Sequence, residues 1–419
     1  MRLVNERFKI PALWKRLGTN TLWLALSQLG SQAMMVLFTV LVARRLGEVG
    51  LGMYAFMAAV VMLGNVVTTY GTDMLIIREV AAHDTLPLLP AALAVQLTLA
   101  ALFVVLVFLG APALSNQTPE AVRALQLYSL ALFPLAFYTV FSAALRGYQH
   151  MEAFTWLNLI VAALQVGLAW FFIQPGSSLE TLAWLLLGVQ LAAALLAAWF
   201  CLAHIPGLRR AWRVSRAAVF SLVGASAPIA LLGFLKVLYQ KLSIYMLANM
   251  QGAAVTGWFS AASQAVTASH LVHVAFLGAI FPVMAQAQIG GQGDPNQWQR
   301  TFWRAQYFLL ALGGAIAVLL FLLAPLLVNL LFGAGFEPAV PALRLLAWTL
   351  IPYSLNLFLS SRLLSARQER PVAYALAISL LVLLGLSAWW IPRWGLSGAC
   401  LALLVAEWVQ AGLYLWRFK

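Results

Sequence analysis

Apolar runs long enough to cross a membrane recur twelve times along the chain, separated by short polar segments. They cover about 20–43, 52–72, 87–113, 121–145, 152–174, 180–204, 217–249, 253–286, 302–330, 339–364, 371–391 and 396–416. A helix needs roughly 20 predominantly apolar residues to cross the hydrocarbon core of a bilayer. The pattern therefore predicts an all-α integral membrane protein of about twelve transmembrane helices. The seventh, eighth and ninth runs exceed what a bilayer requires, which predicts helices that tilt or project from it. No hydrophilic stretch is long enough to form a separate soluble domain.

The pattern also repeats. With a shift of 218, residues 121–145 align with 339–363, and nine positions are identical: Ala121, Val122, Ala124, Leu125, Leu127, Leu132, Pro134, Ser142 and Leu145. Pro134 and Pro352 are the informative pair, because each removes a helix hydrogen bond at the same point. With a shift of 205, ARRLGEVGLGMYAFMAA (43–59) aligns with ANMQGAAVTGWFSAASQ (248–264), which pairs Gly47 with Gly252, Gly52 with Gly257 and Tyr54 with Phe259. Spans one to six thus correspond to seven to twelve. Each half has an even number of spans, so the repeat is parallel and predicts two pseudo-symmetric six-helix lobes with a cavity between them. The expected division is a basic segment 1–19, an N-lobe 20–204, a basic linker 205–216, a C-lobe 217–416 and a tail 417–419.

Composition agrees with lipid as the solvent: 63% of residues are hydrophobic and 9% are charged, against about 25% charged in a soluble protein. The net charge of +13 would suggest nucleic acid in a soluble chain, but its placement argues otherwise. With the N-terminus in the cytoplasm, cytoplasmic segments hold 18 of the 25 Lys and Arg, outer loops hold five, and Lys236 and Lys241 lie inside a span. This asymmetry follows the positive-inside rule. It predicts a multi-pass protein of a bacterial or archaeal cytoplasmic membrane, with both termini cytoplasmic, a basic face toward membrane lipids and no nucleic-acid partner. Trp184, Trp348, Trp389, Trp390, Trp394 and Trp416 fall near the span ends, where an interfacial belt belongs. Cys201 and Cys400 both lie in apolar runs and exclude a disulfide scaffold. The basic, mixed N-terminus carries no cleavable signal pattern.

Enzyme signatures are absent: the sequence has no GxxxxGK[ST], HExxH, GxSxG or DxD, so no catalytic activity and no cofactor are expected. Intramembrane polar residues are the better signal, since charge inside a bilayer is costly. Lys236 falls near the middle of the seventh span and shares a helical face with Tyr239, Gln240 and Ser243. It is read either as a ligand for an anionic headgroup or as a structural ion pair, whereas Lys241 is placed to snorkel. The shift of 205 sets Ser31 opposite Lys236, within a stripe of Ser27, Gln28, Ser31 and Gln32. In the second span Asn65, Thr68, Thr69 and Thr72 form another stripe, and His270 and His273 stand where Asn65 and Thr68 repeat. The two histidines lack a Cys or carboxylate companion and are read as polar lining rather than a metal site. These stripes suit either a water-filled cavity or interhelical hydrogen bonds. Glu407 is the lone acid deep in a span, a candidate for binding H+ or Na+ during transport or for pairing with a lysine. Arg78 and Arg146 lie at span ends, where they either receive an anionic substrate or obey the positive-inside rule.

The run ALSQLGSQAMMVLFTVLVARRLGEVGLGMYAFMAAV resembles the opening of polysaccharide-biosynthesis flippases of the multidrug/oligosaccharidyl-lipid/polysaccharide (MOP) superfamily. GAAVTGWFSAAS and FGAGFEPAVPALRLLAWTLIP resemble the matching segments of the second lobe. The resemblance implies a flippase that moves an undecaprenyl-pyrophosphate-linked oligosaccharide to the outer leaflet by alternating access. Lys236 would be its main pyrophosphate ligand and Arg78 and Arg146 weaker ones. Related sequences often carry an acid where this chain has Ser243. Lipid II flippases of the same superfamily usually have fourteen spans, so twelve argue against that subgroup. A multidrug/cation antiporter of the same superfamily would want acids in its cavity, and a membrane glycosyltransferase or polymerase would want carboxylates and larger outer loops.

Overall fold

A computed structural model describes residues 10–83, 88–113, 118–205, 214–289, 295–365 and 368–417. Arg2, Arg7, Lys9, Arg209, Arg210, Arg213, Arg367 and Lys419 lie outside the described residues, with segment 1–9 and most of the linker. Among the described residues the structure is helical throughout, with no strand. The helices are α1 (Ile10–Thr69), α2 (Thr72–His83), α3 (Leu88–Gly110), α4 (Pro119–Ser129), α5 (Leu132–Gly147), α6 (Met151–Phe172), α7 (Leu179–His204), α8 (Arg216–Met250), α9 (Ala253–Ile289), α10 (Pro295–Leu331), α11 (Ala339–Ala347), α12 (Leu350–Ser365) and α13 (Glu369–Arg417).

Two of these are hairpins. At 60 residues a straight α1 would be about 90 Å long at 1.5 Å per residue, far beyond a bilayer. The chain instead reverses at Gly47, whose φ of 71° is the left-handed region that glycine enters without penalty. The rings of Phe38 and Tyr54 then meet at 5.4 Å across the turn. α13 turns back likewise at Gly395 (φ 52°). Among the described residues eight helices are long and apolar enough to span a membrane, and α11 with α12 forms a ninth span bent by 43°. With α1 and α13 each counted as two arms, and the more polar α9 added, twelve spans result, as the apolar pattern predicts. The even number puts both termini at one end, called here the terminal end. Gly47, Gly252 and Gly395 mark the opposite, hairpin end.

The repeat has a physical counterpart in the two broken helices. Helix α4 gives way to α5 at Leu130 and Ala131, and α11 to α12 at Trp348 and Thr349, positions separated by the same 218 residues. Pro134 and Pro352 cannot donate to Leu130 and Trp348 four residues back. Both breaks compensate alike: Phe133 N donates to Leu130 O (3.2 Å) and Leu135 N to Ala131 O (3.0 Å), while Ile351 N donates to Trp348 O (3.4 Å) and Tyr353 N to Thr349 O (2.9 Å).

The two halves meet at the hairpin end. One buried apolar cluster there joins Phe38, Tyr54 and Leu125 of the first half to Leu247, Phe259 and Phe336 of the second. Toward the terminal end the cores separate. Ile76, Val80, Leu145 and Cys201 belong to one cluster, and Phe302, Phe358, Val372 and Tyr414 to another. Helix α8 is the exception, because Leu222 near its start packs into the first half's cluster. At Gly71 an added Cβ would lie 2.9 Å from Ile229 Cβ of α8, so α8 crosses from one half to the other.

Polar contacts seal the hairpin end further. Arg44 of α1 donates from Nε to Leu331 O (2.9 Å) and from Nη2 to Leu330 O, the last carbonyls of α10, which have no partner within their helix. Trp258 Nε1 of α9 donates to Gly335 O (3.1 Å). Arg44→Ala is expected to lower unfolding free energy by about 1–2 kcal/mol, since it removes two charge-assisted bonds at an exposed site. Thermal unfolding of the purified chain in detergent measures this.

Candidate substrate cavity

Packing α6 against α1 leaves a cavity of about 450 Å³ between these two helices of the first half. Gln28, Ser31 and Gln32 line it from α1, Asn158 and Gln165 from α6, and Leu271 from α9 of the other half. The five polar side chains supply both donors and acceptors and carry no charge. Ser31 Oγ is buried without a hydrogen-bond partner. Asn158 accepts from Tyr138 Oη (2.6 Å) and donates to Phe154 O (2.8 Å), which fixes its amide at the wall. Tyr138 and Asp73 lie close enough to interact electrostatically with Arg146, whose guanidinium stacks 5.1 Å over Phe154. A basic group thus lies near Tyr138, the hydrogen-bond partner of the wall residue Asn158.

Lys236 does not line this cavity. Its position on α8 follows from Gly233 one turn earlier, where an added Cβ would lie 3.4 Å from Val66 of α1, and Asn65 is the neighbour of Val66. Lys236 and Gln240 are exposed, and Lys236 has no hydrogen-bond or ion-pair partner among the described residues. The single face expected for Lys236, Tyr239, Gln240 and Ser243 is split. Tyr239 and Ser243 are buried, and Tyr239 packs against Leu376, Leu380 and Leu383 of α13 within the second half. Lys241 is half-buried rather than snorkelling freely.

The remaining candidates lie apart. Asn65 Oδ1 accepts from Thr69 Oγ1 (3.3 Å). Arg78 is exposed and pairs with its neighbour Glu79 at 3.1 Å. His270 stacks on Tyr353 with ring centroids 3.7 Å apart, and His273 Nδ1 lies 3.2 Å from Ser269 O. Glu407 sits inside the second half, where Asn356 Nδ2 donates to its Oε2 (2.7 Å) and to its carbonyl (3.1 Å). Tyr239, Tyr353 and Tyr414 all lie near this carboxylate, and Tyr239 Oη makes no hydrogen bond of regular geometry to it. Glu407→Ala removes the acceptor of Asn356 and should cost about 1–3 kcal/mol. Glu407→Gln keeps an acceptor and should cost clearly less, a difference that thermal unfolding of the two variants resolves.

The sequence reading passed over Asn158, Gln165, Tyr138 and Asn356. For the first two a signal existed: they lie seven residues apart, on one face of a mostly apolar helix.

A family model described as polysaccharide biosynthesis protein matches residues 17–288, and one described as lipid II flippase MurJ matches 181–419. The chain belongs to the flippases of the MOP superfamily. The second match corrects the expectation drawn from span number, since twelve spans do not separate this flippase from the lipid II family. No curated protein matches the sequence. Solved structures show the same fold at low identity. An inward-facing multidrug-resistance MATE family transporter of the MOP superfamily has a TM-score of 0.70 at 16% identity, over 92% of this chain and 93% of that one. An outward-facing one scores 0.63 at 16% identity, over 95% and 94%. A MOP superfamily transporter from Pyrococcus furiosus, described as having a binding pocket of reverse polarity, scores 0.63 at 17% identity, over 95% and 94%.

Proposed function

We propose that this flippase carries an undecaprenyl-pyrophosphate-linked oligosaccharide from the inner to the outer leaflet of a bacterial or archaeal cytoplasmic membrane. The observation that carries the reading is the cavity wall of Gln28, Ser31, Gln32, Asn158 and Gln165. Uncharged amides and hydroxyls match sugar hydroxyls, each of which both donates and accepts. Lys236 has an ammonium without a partner among the described residues, one turn from the crossing of α1 and α8, and it is assigned to the pyrophosphate with Gln240 beside it. Arg146 assists from near Tyr138, and Arg78 meets the headgroup at the terminal end. Asn65 and His270 extend the polar lining along α1 and α9.

Transport runs by alternating access between the halves, with the terminal end and both termini cytoplasmic. The separated cores at that end favour a cavity facing the cytoplasm in this state. Glu407 is the coupling group, taking up H+ or Na+ inside the second half. Transport by Glu407→Gln is expected to lose its dependence on an imposed ion gradient while still equilibrating lipid across the bilayer.

The cavity chemistry favours this over a cation antiporter, because among the described residues no acid lines the cavity and Glu407 lies away from it. Proteoliposomes loaded with lipid-linked oligosaccharide on one leaflet test the reading. Protein-dependent appearance of the sugar on the other leaflet supports it. Extrusion of cationic dyes without lipid movement contradicts it, as does sugar incorporation into polymer.

A further inference from the structure

We propose that the terminal end of α13 holds an anionic glycerophospholipid in a groove separate from the transport cavity. The two arms of α13 leave a groove of about 690 Å³ there, with Pro371, Ile378 and Leu413 among its walls. Arg370 and Arg417 line it, and neither has a hydrogen-bond or ion-pair partner among the described residues. Glu369 shares the rim, so cations outnumber acids two to one.

The surrounding chemistry selects a lipid over a soluble anion. Tyr374 and Trp416, also on the groove, are 68% and 77% exposed, and amphipathic rings of this kind settle at headgroup depth. The groove lies at the start of one spanning arm and the end of the other, where the headgroup layer falls. A basic pocket between membrane helices with an apolar floor suits an anionic headgroup with its chains beneath. The arginine fork matches a phosphate better than a lysine would. None of the residues assigned to the transported lipid lines this groove, so the site does not depend on the flippase cargo.

Native mass spectrometry of the purified full chain tests this with phosphatidylglycerol and phosphatidylcholine of matched acyl chains. Phosphatidylglycerol is expected to remain bound at a fraction at least tenfold above phosphatidylcholine. The double variant R370Q/R417Q should abolish that difference, while Arg123→Gln at the hairpin end should keep it. Ile378→Trp, which fills the groove and leaves both arginines, should also lower phosphatidylglycerol binding at least threefold. Equal retention of the two lipids by the unaltered chain would overturn the proposal, as would full phosphatidylglycerol binding by R370Q/R417Q. Displacement of the bound lipid by undecaprenyl phosphate but not by added phosphatidylglycerol would assign the groove to the cargo and overturn it too.

Discussion

Gly52→Leu should abolish transport while leaving the protein folded and in the membrane. Gly52 and Gly257, paired by the internal repeat, touch one another across the junction of the two halves. A Cβ at Gly52 would meet Ala253 O and lie 2.8 Å from Gly257 N, and a Cβ at Gly257 would meet Glu48 O and lie 3.2 Å from Gly52 N. These obstacles are backbone atoms of α1 and α9, which cannot rotate aside as a side chain can. Overpacking typically costs 1–3 kcal/mol, and a full isobutyl group set against backbone belongs at the upper end. The penalty falls only on the state with the hairpin end closed. A cost of about 3 kcal/mol would reduce that state roughly a hundredfold relative to one with the halves parted. A cysteine at position 31 reads this out, because Cys201 and Cys400 are buried. Labelling of Ser31→Cys from the hairpin side should be slow in the parent and fast with Gly52→Leu. Unchanged labelling with normal transport would show that the glycine contact does not hold the halves closed. Gly257→Leu should behave the same way, since the contact is reciprocal.

The second large effect is expected at Lys236. Lys236→Gln should lower lipid translocation by ten- to a hundredfold, as loss of a charge-assisted contact worth about 1.5–3 kcal/mol implies. Lys236→Arg should retain most activity, because the charge stays. The unfolding temperature should not move for either variant, since Lys236 is exposed and pairs with nothing among the described residues. This separates a ligand from the structural ion pair that the sequence alone left open. A Lys236→Gln variant that unfolded early while its surviving fraction still translocated lipid would favour the ion pair.

Much of the fold was legible because membrane spans are written in long apolar runs. The repeat went further. Matching prolines predicted that α4–α5 and α11–α12 break at corresponding points, because a missing N–H acts locally and needs no knowledge of neighbours. Gly47 and Gly252 were likewise legible as matched turns, and both have positive φ. That Gly52 and Gly257 contact each other was not, since a repeat identifies equivalent positions without saying which of them meet. The site was less legible for a related reason. In a bilayer both lipid-facing and protein-facing sides of a helix are apolar, so periodicity does not orient it. The sequence pattern therefore groups Tyr239 and Ser243 with Lys236, although both are buried and Tyr239 packs against α13. Gln28 and Ser31 were found because polar residues cluster densely on α1. Asn158 and Gln165 are widely spaced on α6, and only its packing against α1 reveals that they complete the wall.

The most direct test of the account is mass spectrometry of lipid-linked sugars from cells with and without this gene. Loss of the proposed flippase should lead to accumulation of a completed undecaprenyl-pyrophosphate oligosaccharide, held on the inner leaflet for want of its carrier. An unchanged lipid-linked sugar profile would contradict it, and accumulation of a truncated sugar chain would point to a transferase instead.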